Sequence, residues 1–217
     1  MAFKLVIFDC DGVLVDSEKL ANDVLAETLA IYGHQISGEE SEGRFRGMKF
    51  AKCLEILEQE TGIELPGSFE TDFRQRMSTV FRTQLRPVKG ALKLVESLRI
   101  PFCVASSGPK SKIEENLQTT NLYPHFHGKI FSAYEFQSWK PDPGLFLSAA
   151  KHFGAAPRDC IVIEDSFVGV SAGIAANMTV LGLSAAVDDQ SVAAANRVFA
   201  SLDEIRQFFV SQNLSHK

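Results

Sequence analysis

The 217-residue sequence is poor in cysteine: Cys10, Cys53, Cys103 and Cys160 lie far apart, and no two form a Cys-x-x-Cys pair. Cys103 and Cys160 sit in apolar, strand-like runs, so free buried thiols in a reducing compartment are expected. Long hydrophobic runs are missing too. No stretch approaches the roughly 20 apolar residues of a transmembrane helix, and the segment from Met1 to Phe8 is too short and lacks the flanks for a signal peptide. These absences lead us to expect a cytoplasmic protein with no membrane partner. Positive charge is not in excess either: 22 Lys and Arg stand against 27 Asp and Glu, a net charge of −5. That gives no reason to expect nucleic acid as a partner. An anionic substrate would therefore need locally placed cations or a metal. Internal repeats and low-complexity segments are absent.

What is present suits a soluble chain with a substantial core: 45% hydrophobic residues and a mean hydropathy near zero. The length fits one large domain, or one domain carrying an insertion. The chain is organised around its first apolar run, Leu5-Val6-Ile7-Phe8, which reads as a strand buried on both faces. Asp9-Cys10-Asp11-Gly12 follows. If strand geometry persists, Asp9 and Asp11 start on one side and Cys10 turns away. A turn at Gly12 leaves both carboxylates at the strand's carboxyl end, where open α/β sheets bind ligands. Two close carboxylates repel unless a proton or cation lies between them, and Mg²⁺, which prefers oxygen ligands, is the natural candidate.

From Asp16 to about Arg86 the pattern is helical without an obvious strand. Apolar residues recur at helical spacing from Leu20 to Ile31, from Phe50 to Glu60 and from Ser68 to Thr83, with breaks at Gly33 and Gly62. Three or four helices make a small bundle, with Asp16-Ser17 and Arg86-Pro87 read as hinge strands. After Pro87, strands and helices alternate: strands at 100–105, 129–131, 160–163 and 179–182, helices at 89–98, 110–120, 143–153, 166–176 and 205–210. Such alternation predicts an α/β fold, a Rossmann-like parallel sheet with helices on both faces.

Three strand ends share one edge of such a sheet: Asp9/Asp11, Ser106/Ser107 and Glu164/Asp165. Ser106-Ser107-Gly108 precedes a helix, where hydroxyl and backbone N–H groups serve either as a cap or as an anion site. Lys140 lies in Trp139-Lys140-Pro141-Asp142-Pro143, and Glu164-Asp165-Ser166 opens a helix whose dipole favours acidic residues. His125-x-His127 has no acidic or cysteine partner nearby and reads as a polar turn. His34 and His152, following helical stretches, read as surface or terminal residues, and Trp139 as packing.

Phe8-Asp9-Cys10-Asp11-Gly12-Val13-Leu14-Val15-Asp16-Ser17 resembles the first motif of the haloacid dehalogenase superfamily, in the branch of sugar-phosphate phosphatases and beta-phosphoglucomutase. Ser106, Lys140-Pro141-Asp142-Pro143 and Glu164-Asp165 resemble its second, third and fourth motifs, in the expected order. The resemblance implies a core at 1–15 and 87–217 and an inserted helical cap domain at 16–86. It implies Asp9 as nucleophile and Asp11 as general acid and base. Ser106, Ser107 and Lys140 would bind phosphate. Mg²⁺ would be held by Asp9, Asp165 and the main-chain carbonyl of Asp11, with Glu164 orienting waters. The expected partner is a small phosphate ester, and the expected state a monomer or weak dimer.

The same resemblance bears on reaction type. The mutase branch uses a cap histidine and a cap arginine, and those positions fall here on Ala21 and Phe50. Hydrolysis is therefore expected over a phosphosugar mutase, and retention of all four motifs argues against a non-catalytic phosphate-binding regulator. Arg44, Arg46, Lys49 and Lys52 give the cap a basic cluster, read either as a solvated face or as a substrate clamp formed by Arg46, Lys49 and Lys52. As a clamp it would suit a substrate with a second negative charge, such as 6-phosphogluconate.

Overall fold

The structure, a computed structural model, describes residues 3–45, 50–186 and 188–216. Two compact units emerge: residues Met1–Val15 with Arg86–Lys217, and Asp16–Leu85.

The first unit is built on a six-stranded sheet, all of whose pairings are parallel: β1 (Leu5–Phe8), β2 (Phe102–Ser106), β3 (Ile130–Ser132), β4 (Cys160–Glu164), β5 (Thr179–Leu183) and β6 (Arg197–Phe199). The order is β3-β2-β1-β4-β5-β6. Every residue of β1 is buried, because strands run along both of its edges and helices lie on both faces, as a continuous apolar run requires. Leu5 and Ile7 face a core shared with Leu145, Phe146 and Ala149 of one helix (Gly144–His152) and Val170 and Ala172 of another (Phe167–Ala175). On the other face Phe8 meets Phe102 and Phe126 edge-on, with ring centroids 6.0–6.3 Å apart. The chain lays β2 and β3 to one side of β1 and then crosses to lay β4 on the other. The crevice between β1 and β4 is thus a topological switch point, where such sheets bind ligands.

The second unit holds α1 (Glu18–Ile31), α2 (Gly38–Phe45), α3 (Phe50–Thr61) and α4 (Phe69–Gln84). Their apolar stripes close on one another through Val24, Leu25, Leu29, Phe45, Cys53, Leu57, Phe69 and Phe73. Phe50 stacks on Phe73 at 5.0 Å.

Several sequence expectations need correction. Asp16 and Ser17 are not strand, because Ser17 directly precedes α1. The two crossings are tied one residue earlier, by an antiparallel bridge from Val15 to Pro87 and a bond from the Val88 N–H to the Leu14 carbonyl, 3.0 Å. His34 is buried, not a surface residue: its ring lies 3.2 Å from the Ile63 carbonyl and 3.1 Å from the Thr61 hydroxyl. Polar partners from the α3 terminus make that burial tolerable. Strand β6 escapes sequence reading because it is three residues long and begins with an exposed arginine. Helices α5 to α11 complete the first unit: α5 (Ala91–Ser97), α6 (Lys110–Thr119), α7 (Tyr123–Phe126), α8 (Ala133–Phe136), α9 (Gly144–His152), α10 (Phe167–Ala175) and α11 (Leu202–Ser211). The four-residue α7 and α8 are too short to show periodicity, and His125 falls inside α7. No helix among the described residues is long and apolar enough to cross a membrane.

Candidate active site

Parallel pairing brings Asp9 (after β1), Ser106 (the end of β2) and Glu164-Asp165 (the end of β4) to one edge. The ladder continues one residue past β1, since the Asp9 N–H donates to the Ile163 carbonyl at 3.0 Å. Asp9, Glu164 and Asp165 are all buried. One carboxylate oxygen from each lies within 4.8 Å of the others.

Lys140 closes this cluster. Its side chain is 4% exposed, and its ammonium donates to Asp9 and, at 2.5 Å, to Glu164. The other Glu164 oxygen accepts from the Asp165 N–H (3.1 Å), the Ser166 N–H (3.3 Å) and the Ser166 hydroxyl (2.9 Å). Ser166 also accepts from the Gly169 N–H at the start of α10. Two glycines make this approach possible. A Cβ on Gly12, whose φ is +78°, would overlap the Asp165 carboxylate, and one on Gly169 would overlap Glu164. The Asp165 carbonyl is held by the Ser191 hydroxyl at 3.2 Å.

Two of these three buried carboxylates, Asp9 and Glu164, share the Lys140 ammonium. Burial pushes the Asp9 carboxyl up to about 7; Lys140 pulls the other way, and Glu164 and Asp11 add to the rise. Burial also works against the charge of Lys140, but Asp9 and Glu164 outweigh it and lift its pKa well above the ordinary lysine value. A hard divalent cation fits this donor set, since all the donors are carboxylate oxygens drawn close together.

The Asp11 carboxylate points elsewhere. One oxygen accepts from Lys112 at 3.0 Å and the other from Asn116 at 3.4 Å, both donors on α6. The metal-binding expectation for Asp11 concerned its main-chain carbonyl and does not use this carboxylate. Ser106 is buried at the end of β2, and its hydroxyl accepts from the Gly108 N–H at 3.1 Å; Ser107 is half-buried in the turn before α6. Arg46 and Lys49 lie outside the described residues, while Lys52 is exposed and paired with Glu55 at 2.8 Å. Phe50, the candidate mutase arginine position, is taken up by stacking in the helical core. Trp139 is 41% exposed and packs edge-on against Tyr134.

Sequence reasoning missed Lys112 and Asn116. Their four-residue spacing on the helix after Ser106-Ser107-Gly108 puts both on one face, and that was the available signal.

Residues 3–177 match the family model for haloacid dehalogenase-like hydrolases. The chain is similar to the 6-phosphogluconate phosphatase of Escherichia coli, 35% identical over 176 residues that cover 81% of this chain and 80% of the relative. It is also similar to the phosphorylated carbohydrates phosphatase of Thermotoga maritima, 31% identical over 80% of this chain and 81% of that protein. Among solved structures, a haloacid dehalogenase family hydrolase from Deinococcus radiodurans with bound phosphate and sodium superposes with a TM-score of 0.87 at 29% identity, covering 98% of this chain and 97% of that one. With a family match across most of its length, this chain belongs to the haloacid dehalogenase-like hydrolases.

Proposed function

We propose that this hydrolase is a Mg²⁺-dependent phosphatase of small phosphate esters, sugar phosphates above all, working through an aspartyl-phosphate on Asp9. The observation that carries the reading is the convergence of Asp9, Lys140, Glu164 and Asp165 at the β1/β4 edge, with Asp11 two residues beyond Asp9. The names of the phosphatases it resembles supply the substrate class.

In the first half-reaction an Asp9 oxygen bonds to phosphorus as the ester P–O bond breaks, and Asp11 gives its proton to the departing oxygen. In the second, water bonds to phosphorus, its proton passes to Asp11, and the Asp9–phosphorus bond breaks to release phosphate. Ser106 and the N–H groups of the 107–108 turn hold the phosphoryl oxygens, and Lys140 offsets their charge. Asp9, Asp165 and the Asp11 carbonyl would hold Mg²⁺, with Glu164 orienting its waters. When bound, the ion neutralises charge and orients the phosphoryl oxygens. Asp11 thereby runs both half-reactions from one side chain.

The basic residues Arg46, Lys49 and Lys52 are proposed to read a second negative charge on the substrate, which suits a phosphosugar acid such as 6-phosphogluconate. Replacing Arg46 and Lys49 with Ala should then raise KM for such a substrate and leave a small generic phosphate ester, with no second anionic group, nearly untouched. Equal losses on both would remove that role.

Phosphorus NMR of a sugar phosphate incubated with enzyme and Mg²⁺ tests the reading. Inorganic phosphate and free sugar should appear in equal amounts. Accumulation of an isomeric sugar phosphate with little free phosphate would make the enzyme a mutase instead, and no turnover across sugar phosphates, nucleotides and pyrophosphate would remove the enzymatic reading.

A further inference from the structure

We infer that Lys112 and Asn116 are positioning residues that hold Asp11 as the base of the second half-reaction. The inference rests on the proposed reading of Asp11. Two donors from one helix face take one oxygen each of the same carboxylate, Lys112 at 3.0 Å and Asn116 at 3.4 Å. A carboxylate gripped at both oxygens has its plane fixed, whereas one held at a single oxygen can rotate about its last bond. The grip is long-range, spanning 101 and 105 residues, and its frame is rigid. Asn116 is buried. The Thr120 hydroxyl ties the Asn116 carbonyl at 2.8 Å, and Ile113 and Leu117 anchor α6 in the core.

The chemistry of the donors decides which half-reaction they serve. Lys112 and Asn116 both donate, and the two Asp11 oxygens both accept, as the oxygens of a carboxylate do. That is the form needed when water attacks. As the water oxygen bonds to phosphorus, its proton goes to Asp11 and the electron pair of the breaking bond returns to Asp9. In the first half-reaction Asp11 carries the proton and must loosen from Lys112 to deliver it. Held without these donors, the base samples other orientations, and attack by water slows more than formation of the aspartyl-phosphate.

The test compares the two half-reactions in Lys112→Met and Asn116→Ala with nitrophenyl phosphate, whose leaving group needs little protonation. The expected result for Lys112→Met is a kcat about 10- to 100-fold lower, part of the 10²–10⁴ that a general base contributes. KM should fall with it, so that kcat/KM changes several-fold less than kcat. Rapid mixing should show a nitrophenolate burst approaching one per enzyme, as phospho-enzyme accumulates. Asn116→Ala should show the same pattern more weakly, and Lys112→Arg should restore much of kcat. Adding Lys112→Met to Asp11→Asn should cost nothing further.

Equal losses in kcat and kcat/KM without a burst, or additive losses in the double variant, would overturn the inference, as would a KM rise confined to acidic sugar phosphates, which would make Lys112 a substrate contact. Undiminished turnover in Asp11→Asn itself would instead sink the reading of Asp11. The two failures are therefore distinguishable.

Discussion

The helical unit and the strand-end cluster of the sheet unit spend their charges in opposite ways. In the helical unit the ion pairs among the described residues lie at the surface, as Lys19 with Asp23, Arg44 with Glu40 and Glu60, Lys52 with Glu55, and Arg74 with Glu70 do. Each is wet on at least one side and several are ordinary helix-spaced pairs, so each contributes little and is replaceable. Two buried hydroxyls there, Thr28 and Ser41, are satisfied by a carbonyl and an amide oxygen and carry no charge. The sheet unit has surface pairs of the same kind, such as Lys110 with Glu135, but in its strand-end cluster the charges are buried and mutually dependent: Lys140 has two carboxylates and Glu164 has four donors. Removing a buried partner leaves an uncompensated charge, which costs far more than the pair's net value. The surface pairs tolerate charge exchange; the strand-end cluster is committed to a specific arrangement, as a preorganised active site must be.

The sharpest way to break this comparison is at Asp9. Asp9→Asn keeps the shape and removes the nucleophile, so kcat should fall by at least about a thousandfold while circular dichroism and melting stay near wild type. Substantial turnover in the folded variant would end the nucleophile assignment.

Next comes Lys140→Met, which should lower unfolding stability in urea by about 3–5 kcal/mol, since Glu164 remains buried without its cation. A loss under about 1 kcal/mol would mean that the cluster is as replaceable as the surface pairs of the helical unit.

Mg²⁺ should act on the sheet unit's charges with a pH signature. In the metal-free protein the Asp9 carboxyl is raised from 3.8 to about 7. Between those values the unfolded chain binds fewer protons than the folded one, so this group's contribution to stability declines as pH rises through the window. Lys140 is raised from the ordinary lysine value, so its own window lies at much higher pH. A cation must displace the Asp9 proton at pH 5 but not at pH 8. Thermal stabilisation by Mg²⁺, about 2.7 kcal/mol at a hundredfold excess over Kd, should therefore be larger at pH 8. Equal melting shifts at both pH values would argue against the carboxylate cluster as the metal site.

The smallest effect belongs to the helical unit. Arg44→Ala removes two exposed partners, Glu40 and Glu60, and should barely move the midpoint of a chemical melt, less still at high salt. A midpoint shift as large as that of Lys140→Met would show that this surface network is structural.

Local sequence determined where the chemistry-bearing residues end up along the sheet edge. An apolar run such as Leu5–Phe8 or Cys160–Glu164 has to be buried as a central parallel strand, and in a parallel sheet every strand delivers its last residues to the same side. Asp9, Ser106 and Glu164-Asp165 were readable for that reason, as were helices α1, α3 and α4 from their spacing. The resemblance added roles that periodicity does not contain.

Pairing across the chain was decided only by tertiary structure. Lys140 reaches Asp9 across 131 residues, and Lys112 and Asn116 reach Asp11 across more than a hundred. Motif and spacing can mark such residues but do not name their partners, because a lysine's partner depends on which elements pack together. The burial of His34 against the end of α3 was hidden in the same way. Strand ends follow from a hydrophobic pattern that each segment carries by itself. Charge partnerships follow from the crossover that lays β4 beside β1 and from the seating of α6, and these are properties of the assembled sheet.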